Sequence, residues 1–232
     1  MFELFSVKGK VALVTGGTSG IGYMIAQGLV KGGAKVYVCS RKAEACAETA
    51  KALSAFGQCE GIPADLSTEA GAISLVEQLK AKEKQLHILV NNAGATWGAP
   101  IESFPEDAWD RVMNLNLKGP FMLTRALLPL LEAAGNEQDP ARVINITSVA
   151  GQLTGSMQAY PYGPSKAALN HLTRILANEL ASRHIAVNAI APGVFPSKMT
   201  RHIMKHDDVA KQQAALVPLG RLGEPQDMEG LA

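Results

Sequence analysis

Cysteine is scarce: three residues in 232. Cys39, Cys46 and Cys59 are odd in number and form no C-x-x-C pair, which argues against a disulfide scaffold and points to a reducing compartment. Net charge is nearly absent as well. A formal +1 and no run of like charges give no footing for nucleic acid or an anionic membrane surface. The first ten residues, "MFELFSVKGK", hold no apolar core and no small-residue cleavage site, so no signal peptide is expected. The longest uncharged stretch, residues 143–165, contains "NITS", "TGS" and two prolines, too polar and too broken for a membrane helix. A cytoplasmic protein follows. In that setting the glycosylation pattern at Asn145 is fortuitous. "HIMKH" places His202 and His206 on one helical face but lacks the glutamate of a zinc-protease helix, so no metal is expected. Internal repeats and low-complexity linkers are missing too, which leaves residues 1–232 as one domain.

What is present is alternation. "KVALVT", "AKVYVCS", "QCEGIPADLS", "LHILVNNAG", "ARVINITS" and "IAVNAIAPG" read as six short apolar strands. Between them lie segments with helical spacing, the longest running from Glu106 to Gly135 with bends expected at Pro120 and Pro129. Beyond "IAVNAIAPG" the pattern loosens. Continuous apolar strands alternating with helices predict an α/β fold: a single doubly wound, Rossmann-like parallel sheet with helices on both faces. Ligands in such sheets sit beyond the carboxyl ends of the strands.

The first of those ends carries "TGGTSGIG", residues 15–22. Glycines permit positive φ and close approach of backbone N–H groups, and the following helix start adds positive potential, a combination suited to a pyrophosphate. The second strand ends Cys39-Ser40-Arg41, where an NAD-preferring site would place a carboxylate. No carboxylate repels a 2′-phosphate there, and an arginine can pair with one, which predicts NADP(H). "YGPSK" sets Tyr162 and Lys166 one helical turn apart, near a helix start suggested by Pro164. An ammonium and a positive helix end should lower the phenol pKa from its usual value near 10. Tyr160 is an unsuitable alternative, since Pro164 stands four residues beyond it. Ser148 closes the fifth strand with a hydroxyl suited to a carbonyl, while Thr147 should point to the opposite face.

Taken together these residues resemble the short-chain dehydrogenase/reductase family. T-G-x-x-x-G-x-G occupies 15–22, N-N-A-G 91–94, N-L-K-G starts at Asn116, Ser148 precedes Tyr162, and P-G is 192 and 193. Within the family the chain looks most like β-ketoacyl reductases, including the rhamnolipid-pathway type, in "GNEQDPAR" and "PSKMTRHI". The resemblance implies that Tyr162 protonates a carbonyl oxygen and Ser148 holds it. Lys166 would lower the tyrosine pKa and bind the nicotinamide ribose. Asn116 would bend its helix and anchor a water linked to Lys166. Gly16, Thr18, Ser19, Gly20 and Ile21 would line the dinucleotide, with Ser40 and Arg41 at the adenosine phosphate. Asp65 with Leu66 would meet the adenine, Asn92 with Ala93 and Gly94 the adenosine ribose region, and Pro192 and Gly193 the nicotinamide amide. Ser197 stands where the family usually has threonine.

The family commonly continues into a seventh strand past the point where this sequence stops, so the last edge strand is expected to be missing. Trp97, Met157, Phe195 and Met199 are candidates for an apolar acyl pocket at the cleft mouth. The implied activity is NADPH-dependent reduction of a ketone, most simply a 3-oxoacyl thioester on an acyl-carrier protein or CoA, by a homo-oligomer (dimer or tetramer). A reductase of steroids, sugars or small carbonyls is the alternative, and so is a dinucleotide-binding sensor or scaffold without turnover.

Overall fold

In a computed structural model, residues 5–154, 158–197, 199–200 and 207–230 are described. Met157, His202 and His206 lie outside them. Six parallel strands form one sheet: β1 (Val11–Thr15), β2 (Lys35–Ser40), β3 (Cys59–Pro63), β4 (Ile88–Asn91), β5 (Ala141–Ile146) and β6 (Ile185–Ile190). Their order is β3-β2-β1-β4-β5-β6, the doubly wound arrangement in which the direction of winding reverses between β1 and β4. The register pairs Leu13 with Tyr37 and with Leu89, and Asn91 with Asn145.

Alternation along each strand divides the core in two. Leu13, Tyr37, Leu89 and Val143 face α3 (Glu69–Lys82), α5 (Gly119–Ala134) and the end of α6 (Tyr162–Leu180). Ala12, Val14, Val36, Val38 and Ile144 face α1 (Gly20–Lys31) and α2 (Ala43–Leu53). Among the described residues the loosely patterned tail holds two further helices, α7 (Asp207–Ala215) and α8 (Pro225–Glu229), and α8 buries Met228 in the second core. Strands apolar on both faces are what such a three-layer packing requires.

The long helical stretch departs from expectation. It is α4 (Glu106–Met113), then a widened turn over Asn114–Lys118, then α5. In that turn the Gly119 N–H reaches back five residues to the Asn114 carbonyl. Pro120 explains the change: it has no N–H for the carbonyl four residues earlier and would crowd it, so the chain widens before the proline. Pro129 sits inside α5 without ending it.

A buried polar chain ties sheet to helices. Asn91 Nδ2 donates to Asn145 Oδ1 (2.9 Å) and Thr124 Oγ1 (3.2 Å), and Asn145 Nδ2 donates to Thr173 Oγ1 (2.9 Å). The two threonine hydroxyls end the chain on the Pro120 and Leu169 carbonyls. Asn145→Leu keeps the branched outline but leaves Asn91 Nδ2 with Thr124 alone and removes the donor to Thr173 Oγ1. The expected cost is about 2 kcal/mol of unfolding free energy, read as a lower urea midpoint at unchanged slope.

Candidate active site

The glycine turn leaves β1 with Gly16 at φ +64° and enters α1 with Gly20 at φ +56°, two backbone conformations that side chains disfavour. A Cβ on Gly22 would stand 2.5 Å from the Gly16 carbonyl, so α1 can pack this close only with glycine there. Thr15 braces the turn from below. Its hydroxyl donates to the Val90 carbonyl (3.1 Å) and accepts the N–H groups of Asn92 (2.9 Å) and Ala93 (3.0 Å). Asn92 Nδ2 in turn donates to the Thr15 and Gly16 carbonyls (2.8 and 3.3 Å). The Asn92 amide nitrogen therefore braces the loop. The sequence marks Thr15 only as the first residue of the glycine motif; a threonine before a glycine run carries no sign of three hydrogen bonds.

The ends of β2 and β3 hold the adenosine-side candidates. Ser40 is half-buried and Arg41 exposed. Asp65 Oδ1 accepts the Ser67 hydroxyl (2.7 Å) and N–H (3.0 Å). That hydroxyl, with the nearby Arg41 and Arg111 charges adding, holds the carboxyl below its usual range. Asp65 thus shapes its own turn, beside Leu66.

At the far side of the switch point, α6 begins at Tyr162 and carries Lys166 one turn on, buried to 5% exposure. Lys166 Nζ donates to the Ile146 carbonyl (2.8 Å) and lies 5.8 Å from the Tyr162 ring centroid. Burial pushes its pKa down to about 8. The expectation for the phenol is corrected: burial pushes the Tyr162 pKa up, and only the hydrogen bond with Ser148 opposes it. Desolvating a phenolate outweighs the help of a lysine whose ammonium is itself occupied by a carbonyl. Ser148 adjoins the phenol as expected, its Oγ accepting the Ala150 N–H (3.1 Å). Thr147 points away, donating to the Ile190 carbonyl (3.1 Å).

Asn116 is fully buried within the widened turn. Its Oδ1 accepts the Ala95 N–H (2.8 Å), and its Nδ2 donates to the Ala95 carbonyl (2.9 Å) and Ser165 Oγ (3.0 Å). The side chain therefore clamps the N-N-A-G loop to α6, and the bend belongs to the turn rather than to the amide. Ser165, which completes the link by donating to the Tyr162 carbonyl (2.7 Å), was missed. Gly94 lies between these groups: a Cβ there would be 3.2 Å from Asn116 Oδ1 and 3.6 Å from Lys166 Nζ.

Pro192 and Gly193 follow β6, with the Pro192 carbonyl accepting the Val149 N–H (3.1 Å) and open space at Gly193. Of the acyl-pocket candidates, Trp97 and Met199 are exposed, but Phe195 is a core residue packed under Gly223, because a bare glycine leaves room for its ring. Tyr160 packs edge-on against Phe104 with centroids 5.5 Å apart. Among the described residues no cluster could hold a metal ion, and no helix is long and apolar enough to cross a membrane.

The glycine turn fits a dinucleotide. Ser19 makes no side-chain cap to α1 and no acidic residue stands in its first turn, whereas α2, α3 and α4 all start with carboxylates. The free N–H groups of α1 thus keep their positive potential for an anion.

Comparison with known proteins agrees with this geometry. The chain is 54% identical to the rhamnolipids biosynthesis 3-oxoacyl-[acyl-carrier-protein] reductase of Pseudomonas aeruginosa, over all of this chain and 91% of that protein. It is 35% identical to the 2-dehydro-3-deoxy-D-gluconate 5-dehydrogenase of Dickeya dadantii, over all of this chain and 90% of the relative. Its fold superposes on the Pseudomonas aeruginosa RhlG/NADP active-site complex with a TM-score of 0.96 at 54% identity, covering all of this chain and 90% of that one. Residues 10–208 match the family described as short chain dehydrogenase, and the chain belongs to that family.

Proposed function

We propose that this chain is an NADPH-dependent carbonyl reductase acting on 3-oxoacyl thioesters held by an acyl-carrier protein or CoA. The observation that carries the proposal is the meeting of Ser148, Tyr162 and Lys166 at the carboxyl ends of the strands, beside the glycine turn. The 54% identical relative named as a 3-oxoacyl reductase and the NADP complex of similar fold support the substrate class and the cofactor. Three convergent reacting groups favour turnover over a sensor.

NADPH bound along the turn supplies the hydride. Gly16, Thr18, Ser19, Gly20 and Ile21 would hold its diphosphate, and Ser40 and Arg41 its adenosine phosphate. Asp65, Leu66, Asn92, Ala93 and Gly94 would line the adenosine. Pro192 and Gly193 would sit at the nicotinamide. Ser148 Oγ orients the carbonyl oxygen. As that oxygen gains negative charge, Tyr162 gives it the phenolic proton, leaving alcohol and phenolate. The raised phenol pKa keeps that proton in place at neutral pH until the oxygen demands it. Lys166 then stabilises the phenolate, and Asn116 fixes both by holding Ala95 and Ser165.

Homo-oligomerisation and a cytoplasmic location belong to the same proposal. A largely apolar groove lined by Leu117 of the widened turn, Phe121 of α5 and Ala168, Leu172 and Ile175 of α6, with Lys118 and His171 beside them, offers a face for a second copy.

Tyr162→Phe should lower kcat/KM for 3-oxoacyl reduction by about 10²–10⁴-fold while NADPH binding survives; near-normal turnover would remove the tyrosine from the reaction. Because Lys166 has a pKa of about 8, its ammonium is present below that value and lost as pH rises through it. The reduction rate should therefore fall above pH 8, and Lys166→Arg should push that decline to higher pH in a rate–pH profile. Arg41→Ala should erode the preference for NADPH over NADH by about 10–100-fold, measured as the ratio of kcat/KM values for the two cofactors.

A further inference from the structure

Gly223 differs from the glycines of the turn. Its backbone has no positive φ, so conformation does not require glycine. Space does. A Cβ there would fall 2.5 Å from Phe195 Cε1 and closer still to Cζ and Cε2, inside the ring's van der Waals surface. The contact is tied on both sides: the Gly223 N–H donates to the Val194 carbonyl (3.0 Å), and Phe195 is 8% exposed, packed in the core that faces α1.

The backing of Gly223 is tied to α8. Arg221 clasps Asp227 through two bonds (2.7 and 2.8 Å), and the Asp227 carboxylate also accepts the Glu224 N–H (2.8 Å) at the start of α8. That helix anchors Met228 in the core and sets Glu229 against Gly28 of α1, where Lys31 pairs with it (3.1 Å).

Beyond Phe195, Ser197 and Thr200 bind one another and the Phe195 backbone. The Phe195 carbonyl accepts the Thr200 hydroxyl (2.6 Å), and the Ser197 N–H donates to Thr200 Oγ1 (3.0 Å). The Thr200 N–H returns to Ser197 Oγ (3.2 Å), and the two hydroxyls are 3.0 Å apart. The turn lays Ser197 against the start of α1: a Cβ on Gly20 would be 3.0 Å from Ser197 Cβ. A chain of contacts therefore runs from α8 through Gly223 and the Phe195 ring to Ser197, whose Cβ lies against Gly20 at the start of α1.

We propose that Gly223 is a positioning residue for dinucleotide binding: the space it leaves seats the Phe195 ring, and the seated ring sets the Ser197 hydroxyl over the diphosphate end of the glycine turn. This rests on the NADPH reading above. A larger residue at 223 lifts Phe195, swings the Ser197 turn away from Gly20 and weakens binding. Ser148, Tyr162 and Lys166 are anchored to β5 and α6, so chemistry at saturating cofactor is spared.

The test is a double-mutant cycle on the full chain, reading the NADPH dissociation constant by titration calorimetry. Gly223→Ala and Ser197→Ala should each weaken NADPH about tenfold, with the pair no more than about twofold worse than Ser197→Ala alone. At saturating NADPH, kcat for Gly223→Ala should stay within about twofold of the parent. Additive losses, or unchanged affinity in Gly223→Ala, overturn the inference; a purely structural role for Gly223 moves thermal stability without this coupling. If Gly223→Ala does not fold, Phe195→Leu provides the background, since it removes colliding ring atoms. There Gly223→Ala should change affinity less than about twofold, and a tenfold loss overturns the inference. A parent chain that does not bind NADPH overturns the cofactor reading and this inference with it, whereas normal parent affinity with additive variants overturns this inference alone.

Discussion

A buried ammonium governs this structure. Lys166 is 5% exposed and donates to the carbonyl of Ile146, the last residue of β5. An isolated cation so placed is costly, and the fold answers with an oriented backbone dipole at the strand end. The bond fixes where α6 meets the sheet, and with it where Tyr162 stands. Ser165 lies in the same turn of α6, so seating the lysine also brings that hydroxyl to Asn116. Tyr162, Ser165 and Lys166, the proposed site's α6 residues, share one local constraint.

The doubly wound sheet makes that constraint useful. Reversal of winding between β1 and β4 opens a crevice, and the chain fills its floor with backbone-directed hydrogen bonds from Thr15 and Asn92. These groups stiffen the edges of a cleft that both the glycine turn and the N-N-A-G loop border. Asn116 repeats the device on the next loop by holding both backbone groups of Ala95. Side-chain amides holding loop backbone are a rigid way to shape a site on irregular chain.

Much of this was legible in the sequence because it rests on local rules. Continuous apolar strands separated by helical spacing gave six strands in a doubly wound sheet, and helical periodicity placed Tyr162 and Lys166 on one face. Strand alternation separated Ser148 from Thr147. What was not legible depends on burial and on distant partners. The direction of the Tyr162 shift follows from desolvation, which no spacing reveals. Phe195 read as a cleft residue because its neighbours in sequence are there, while its ring is claimed by Gly223, far along the chain. Pro120 announced a bend, but the accommodation lies in the preceding turn, since a proline disturbs the carbonyl behind it.

The opposed shifts of Tyr162 and Lys166 have one origin. Burial disfavours charge on each, so each is pushed toward its neutral form, the phenol protonated and the amine deprotonated. A proton donor for reduction needs the first of these, since an ionised phenol has nothing to give. It does not need the second, because the phenolate left behind is as poorly solvated as the ammonium beside it. A phenolate formed beside the buried ammonium relieves the cost of both, since opposite charges attract more strongly in a dry site than in water. That relief is absent before proton transfer and present after it. Under the proposed reaction, lysine in this cleft would act less by acidifying the resting phenol than by stabilising what the phenol becomes, which is the distinction between binding a ground state and favouring the path away from it.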